Sequence, residues 1–322
     1  MNFYASPEFL ESVAEVSCRG KRWSIQDVQI DGRVLRLLVI GNKRLATNVR
    51  FLDYHIPVHD SEIKSAVSRM GHAKLVTLGV MELSDCKAAA AKDLELAPYV
   101  DWSRFPTYED YKAFVLGRSR GLVRERERRG RRLAEMFGEP VFRMHDEQDD
   151  ILPLVQEWKG RQLAATGSEN WIIDPEVIEF LNVLRRKDLL VCSTLRVSGR
   201  LVAVWIGFIY EGCWSGWILT RDPQLDKYSP GHHLVSAMLE QSHKLKHREF
   251  DFSVGAEDYK MMYATHMRIL GPVGRPALGQ RVRSWAKEEV KRQVPNLFRM
   301  VQGLKKQMHE QNDPKAFGLL LG

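Results

Sequence analysis

Phe250-Asp-Phe-Ser-Val-Gly-Ala-Glu-Asp-Tyr-Lys260, together with Tyr228-Ser-Pro-Gly231 upstream of it, decides how this chain is read. Phe250–Phe252 is a short apolar strand. A carboxylate pair, a phenol and an amine follow it at once. Tyr-Ser-Pro-Gly opens an amphipathic segment, Gly231–Lys246, that reads as a helix. Gly231 exposes backbone N–H groups at the helix start, where anions bind. A turn, a helix, a buried strand and a polar cluster in that order build a site at the end of a sheet.

Working outward, Leu189–Val197 and Leu201–Tyr210 read as strands around Ser198-Gly199, and Glu211-Gly212 leads into a third, Cys213–Leu219. Asp174-Pro175 starts a helix over Glu176–Arg185. The first half shows a similar order. Ser6-Pro7-Glu8 opens a helix, with Ser6 as cap and Pro in the first turn. Trp23–Ile30 and Val34–Ile40 flank Asp31-Gly32, a strong hairpin turn. Arg50–His55 reads as a strand, Asp60–Met70 as a helix and Ala73–Met81 as a strand. Val28-Gln-Ile-Asp-Gly-Arg-Val34 can be laid over Leu195-Arg-Val-Ser-Gly-Arg-Leu201. Hairpins often share such a pattern, but the helix and strand that follow also recur, which favours a duplication.

Between the halves, Tyr108–Met136 reads as one long helix weakened by Gly117, Gly121 and Gly130. Its stretch Arg118–Arg132 holds eight arginines and two glutamates, more cations than local pairing absorbs. Pro272–Gly322 holds ten Lys/Arg against four Asp/Glu. These two segments carry +6 each against a net charge of +7 for the whole chain, so the rest is mildly acidic and anionic partners are expected at the two basic stretches. In the tail, Pro295 separates segments near Arg281–Arg292 and Asn296–Glu310. Leu297, Phe298, Val301, Leu304 and Met308 form a stripe. It fits a helix packed on the body, or peripheral contact with the inner membrane through 281–310.

With 322 residues, 44% hydrophobic and 28% charged, the chain reads as a soluble protein large enough for two domains. No apolar run reaches the roughly 18 residues of a membrane span. The first residues lack the pattern of a secretory signal, and the four cysteines form no CxxC. Both point to the cytoplasm.

Taken with their order and spacing, these stretches resemble the GNAT-superfamily acyltransferases of the BioF2-like or CelD-like type. Those occur beside cellulose and exopolysaccharide biosynthesis and are related to the Fem-type aminoacyl transferases. Tyr111-Lys-Ala-Phe-Val-Leu-Gly-Arg-Ser-Arg resembles the linker that opens their main domain. Glu157-Trp-Lys-Gly-Arg161 resembles their next helix, and Gly199-Arg-Leu-Val-Ala203 their central hairpin. The similarity runs from about Pro98 to Thr265.

The resemblance implies an α/β protein with two tandem GNAT-like domains, each a mixed, mostly antiparallel sheet flanked by helices. The expected bounds are 1–100 for the first domain, 101–140 for the linker helix, 141–270 for the domain with the active site, and 271–322 for a basic helical tail. It also implies transfer of an acyl group to an amine or hydroxyl, on a small-molecule, sugar or lipid acceptor. One departure bears on the donor. Where coenzyme A binders carry Arg/Gln-x-x-Gly-x-Gly/Ala, this chain has Lys227-Tyr-Ser-Pro-Gly-His-His233. One Gly remains, and histidine replaces the second small residue. Acyl-CoA, an acyl carrier protein and, less favoured, an aminoacyl-tRNA all stay open as donor.

Acyl transfer needs a base for the acceptor and stabilisation of an oxyanion. Glu257 is the expected base, in the position where the family pattern has Glu, against the plain reading of an acidic helix start. Asp251, Tyr259 and Lys260 are further catalytic candidates. Tyr228, Ser229, Gly231, His232 and His233 are the expected donor-binding residues. Arg118, Arg120, Arg124, Lys159 and Trp205 are expected at the substrate. His243 and His247 stand at i, i+4 without an evident third ligand, so no metal is expected. There is no P-loop, Rossmann fingerprint or nucleophile elbow. The rival readings are a Fem-like transferase using charged tRNA, a catalytically silent scaffold with basic surfaces, and general RNA binding.

Overall fold

The computed structural model describes residues 3–30, 33–41, 73–83 and 94–273. The expected strand at Arg50–His55, helix at Asp60–Met70 and basic tail helices lie outside the described residues. Of the described residues, 3–160 and 171–273 belong to one compact unit.

The first helix, α1 (Pro7–Ser17), begins as its sequence dictates: the Ser6 hydroxyl accepts from the Phe9 amide and Pro7 fills the first position. Strands β1 (Trp23–Ile30) and β2 (Arg33–Ile40) pair antiparallel as a separate two-stranded sheet. Next come β3 (Ala73–Glu82), β4 (Glu95–Asp101) and the long helix α2 (Tyr108–Phe137). Thr107 and Asp110 form a reciprocal capping box at the start of α2. Ser119, at φ −139° and ψ 35°, breaks its helical run.

The remaining elements are β5 (Pro140–Arg143), α3 (Ile151–Ala165), α4 (Pro175–Arg186), β6 (Val191–Val197), β7 (Arg200–Tyr210) and β8 (Cys213–Arg221). They are followed by α5 (Pro230–Lys244), β9 (Glu249–Asp251), α6 (Asp258–Tyr263) and β10 (His266–Val273). Ser198-Gly199 and Glu211-Gly212 all have positive φ, the conformation a two-residue hairpin turn demands.

Eight strands make one sheet in the order β3-β10-β4-β9-β8-β7-β6-β5. Every pair is antiparallel except β8–β9. In central β7, alternation sends Val204, Ile206 and Phe208 into one core and Ala203 and Trp205 into the other. The first core packs under α1, α3 and α4, the second under α2, α5 and α6.

The expectation of two tandem domains holds only in its coarser form, a mixed and mostly antiparallel sheet flanked by helices. Among the described residues the halves share that sheet. β4 lies between β10 and β9, and β3 pairs with β10. The reason is burial: Ala97–Val100 are all buried, and only a strand with neighbours on both edges satisfies the backbone there. The two hairpins with matching sequences take different places, one in the small sheet and one in the large sheet. No helix among the described residues is long and apolar enough to cross a membrane.

Candidate active site

The parallel pair β8–β9 positions the site. Its register is Cys213↔Glu249, Trp214↔Phe250 and Ser215↔Asp251, and there β9 stops. β8 runs on to Arg221. The two strands therefore part, and the carboxyl ends of parallel strands are where open α/β sheets bind ligands. The chain leaving β9 is tied to β4: the amides of Phe252 and Gly255 donate to the carbonyls of Pro98 and Leu96 at 3.1 and 2.8 Å. Ser253 and Gly255 have positive φ, which turns the chain into α6 with Glu257 as its N-cap residue.

The chain leaving β8 is held as firmly. Asp222 caps a short turn through the Gln224 amide, and the Arg221 guanidinium pairs with Asp226 at 2.6 Å. Ser229 then adopts a left-handed conformation, φ 56° and ψ 47°, and Pro230 begins α5. The Ser229 side chain makes no capping bond at the start of α5. Its hydroxyl instead accepts from Arg126 at 2.7 Å and Arg129 at 3.3 Å, both on α2. Pro230 has no N–H and the His232 amide donates to the Ser229 carbonyl at 3.0 Å, so of the first three residues of α5 only Gly231 keeps an amide with no hydrogen bond among the described residues.

Three guanidinium groups gather here. Arg129 shares Glu125 with Arg128, and Arg221 has Asp226. Arg126 has no carboxylate partner among the described residues, and its buried Nε has no hydrogen-bond partner. The His232 Nδ1 is likewise buried and unpartnered. Burial first, then Arg126, His233 and Arg221, push the His232 imidazolium down to about 3, so the ring is neutral at physiological pH. Its neighbour His233 also favours the neutral form because it is buried, and packs on Gly130 of α2. Tyr228 is buried below this corner, edge-on to Phe137. Gly231 lies against Arg221, where an added Cβ would be 3.6 Å from Cδ.

Across the gap, the ring centroid of Tyr259 is 6.3 Å from that of His232, and burial raises its phenol well above the ordinary range. The start of α5 and the polar cluster after β9 therefore do meet. Glu257 is 57% exposed at its side chain and pairs with Lys260 at 2.8 Å. Lys260 is 6% exposed and also donates to the Val254 carbonyl, so it braces the loop rather than offering a free charge. Lys159 of α3 donates to the Leu219 carbonyl at 3.4 Å. Burial lowers the pKa of its ammonium, opposed by Glu257 and assisted by Lys260 and Arg221.

Other expected residues lie elsewhere. Asp251 points to the opposite face of the sheet from Phe250 and Phe252, where it accepts from the Ser253 amide and pairs with Arg268. Trp205 is 1% exposed and fills the space over Gly216, so it is core rather than a pocket wall. Arg118 donates to the carbonyls of Ala264 and Met261 at 2.7 and 3.0 Å, closing the end of α6. Arg120 and Arg124 are exposed, without a partner among the described residues. The Nε2 of His243 lies 3.1 Å from the Phe105 carbonyl and the Nδ1 of His247 lies 3.1 Å from the Ser242 hydroxyl.

Arg126, Arg129 and Arg221 were not singled out from sequence. A signal existed for two of them: Arg126, Arg129, Gly130 and Leu133 recur at helical spacing, and Leu133 marks the inward face.

Residues 122–261, which span this whole arrangement, match the family model of the acetyltransferase (GNAT) domain. A GNAT-superfamily acyltransferase fold is supported over these residues. The match supports catalysis of acyl-group transfer. No curated protein sequence matches the chain. Similar solved structures include FemX, with 11% identity, TM-score 0.47, and coverage of 82% of this chain and 90% of that one. L-PGS from Bacillus licheniformis has 11% identity and TM-score 0.43, covering 88% and 95%. A tandem GNAT protein from the clavulanic acid biosynthesis pathway has 12% identity and TM-score 0.35, covering 86% and 98%.

Proposed function

We propose that this enzyme moves an acyl group from a phosphate-bearing thioester, acyl-CoA or an acyl carrier protein, to an amine on a polysaccharide, envelope-lipid or specialised-metabolite precursor. The carrying observation is the corner where α5 begins. It combines the Gly231 amide, Arg126, Arg129 and Arg221, and three buried nitrogens, of Arg126, His232 and His233, without hydrogen-bond partners. A phosphate oxygen supplies the acceptors that these groups lack. GNAT folds take thioester donors of this kind, and the residues present suit one.

On this reading the pantetheine arm enters the gap where β8 and β9 part. Glu257, exposed at the rim, takes the proton of the attacking amine directly or through water. The amine nitrogen then bonds to the thioester carbon, and the tetrahedral intermediate collapses with loss of thiolate. Tyr259, whose ring lies beside that of His232, is on this reading the group that returns a proton to the departing sulfur. Burial keeps its phenol protonated at neutral pH.

The test incubates the purified protein with acetyl- and longer acyl-CoAs, the matching acyl carrier proteins and a panel of amines and amino sugars, read by mass spectrometry. Thioester consumption with an acylated amine as product is expected. Glu257→Gln is expected to lower kcat by about 10²–10⁴-fold. Absence of any thioester binding or turnover overturns the reading.

A further inference from the structure

The exposed side of α2 carries a feature the catalytic reading does not use. Arg120, Arg124, Arg128, Arg131 and Arg132 are all exposed. At 3.6 residues per turn they fall within an arc of about 120°. Arg128 pairs with Glu125; the other four have no partner among the described residues. Ordinary solvated helices balance such cations with i, i+4 carboxylates, and here Glu125, already shared by Arg128 and Arg129, Glu127 and Glu135 are the carboxylates on or beside the face.

The same turns of α2 carry Arg126, Arg129 and Gly130 on their inner side, against Ser229 and His233 at the start of α5. The stripe is thus one helix diameter, about 10 Å, from the anion corner. That corner is also small. His233 fills the space against Gly130, and His232 lies between the arginines and the Tyr259–Tyr263 pair. It suits one phosphate group, as on a phosphopantetheine arm, more than the diphosphate and nucleotide of coenzyme A.

Resting on the thioester reading above, we infer that the donor is delivered by an acidic acyl carrier protein, which docks on the Arg120–Arg132 stripe and passes its phosphopantetheine arm past Arg126 to the gap between β8 and β9. The occupant is chosen by charge and by pattern. A carrier presenting a carboxylate-rich helix complements the arginines and can place its own cations opposite Glu127 and Glu135. A nucleic-acid backbone is anionic throughout and is repelled by those two carboxylates. No aromatic residue is interleaved among Arg120–Arg132 to stack bases.

The experiment measures binding of dye-labelled holo-acyl carrier protein, and separately of labelled tRNA, to the full chain by fluorescence anisotropy. It also compares turnover of acetyl-loaded carrier, acetyl-phosphopantetheine and acetyl-CoA. Holo-carrier binding that weakens as salt rises is expected. Arg131→Glu with Arg132→Glu is expected to weaken it, and to lower kcat/KM for loaded carrier, by at least about tenfold, since exposed cations set encounter and steering. The same variant is expected to keep its turnover of acetyl-phosphopantetheine and its melting temperature. Equal carrier binding by wild type and variant overturns the docking proposal, as does equal loss with both donors. Binding of tRNA in preference to carrier, lost in the variant, overturns it in favour of RNA. Turnover of acetyl-CoA with no advantage for the carrier overturns docking but leaves the thioester reading standing. No turnover of any thioester removes both.

Discussion

Gly130 of α2 faces the imidazole of His233 on α5: a Cβ built on Gly130 would lie 2.2 Å from His233 Cε1. The absent side chain is what lets the two helices close over the anion corner. This explains a glycine that the helix itself disfavours by about 1 kcal/mol relative to alanine.

Gly130→Ala is therefore expected to destabilise the protein despite its better helix propensity. Overpacking costs about 1–3 kcal/mol, which offsets the roughly 1 kcal/mol gained. Gly117 and Gly121, with no atom within 4 Å of an added Cβ, are expected to gain up to about 1 kcal/mol on the same change. Urea unfolding of the three variants decides it. Adding His233→Ala to Gly130→Ala is expected to restore the lost stability, and an unaltered midpoint in Gly130→Ala would contradict the contact.

Arg126→Ala is expected to weaken binding of the thioester donor by about tenfold or more, since a charge-assisted hydrogen bond contributes roughly 1.5–3 kcal/mol. Donor KM and the thermal shift produced by coenzyme A or holo-carrier report it. Arg118→Ala acts differently, because Arg118 holds the carbonyls of Ala264 and Met261. It is expected to lower the melting temperature more than it raises KM.

Burial and the neighbouring arginines lower the His232 pKa from 6.5 to about 3. A base whose folded-state pKa is depressed contributes stability above its unfolded value and loses it as pH falls towards the folded one. Stability is thus expected to decline from about pH 6.5 downwards, by at most about 1.4 kcal/mol per pH unit for this residue. His232→Gln is expected to flatten the slope between about pH 6.5 and 5.5, above the range where ordinary carboxylates titrate. Parallel curves for variant and wild type would rule out a buried neutral His232.

Asp146 and Arg196 form a buried pair, 1% and 6% exposed at their side chains, 2.8 Å apart. Burial opposes ionisation of Asp146, but hydrogen bonds from Arg196, Thr194 and the Gln148 amide outweigh it. Asp146→Ala is expected to cost about 3–5 kcal/mol, because it strands a buried guanidinium. Asp150, 45% exposed, also pairs with Arg196, so the loss is expected at the lower end. Asp150→Ala itself is expected to cost about 1 kcal/mol or less. Chemical denaturation of both variants separates the two roles.

Much of the local structure was legible. The caps Ser6 and Asp174, the turns at Ser198-Gly199 and Glu211-Gly212, and the strands Trp23–Ile30 and Cys213–Arg221 all lie close to where short-range rules put them. Each rests on forces within a few residues: a side-chain acceptor for a free amide, a positive φ, a period of two or 3.6. The loops at Gly231 and Glu257 were legible for the same reason.

What tertiary structure alone decided is the pairing. Strands from both halves were recruited into one sheet, the β8–β9 gap was opened, Asp251 was turned to the far face, Trp205 was made core, and Arg126 and Arg129 were selected from eight arginines to meet Ser229. Local rules cannot rank those outcomes, because a strand's partner and a helix's buried stripe depend on which distant apolar surface covers them. Residues 126 and 229 are brought together by the core between α2 and α5, and nothing within either segment encodes that meeting.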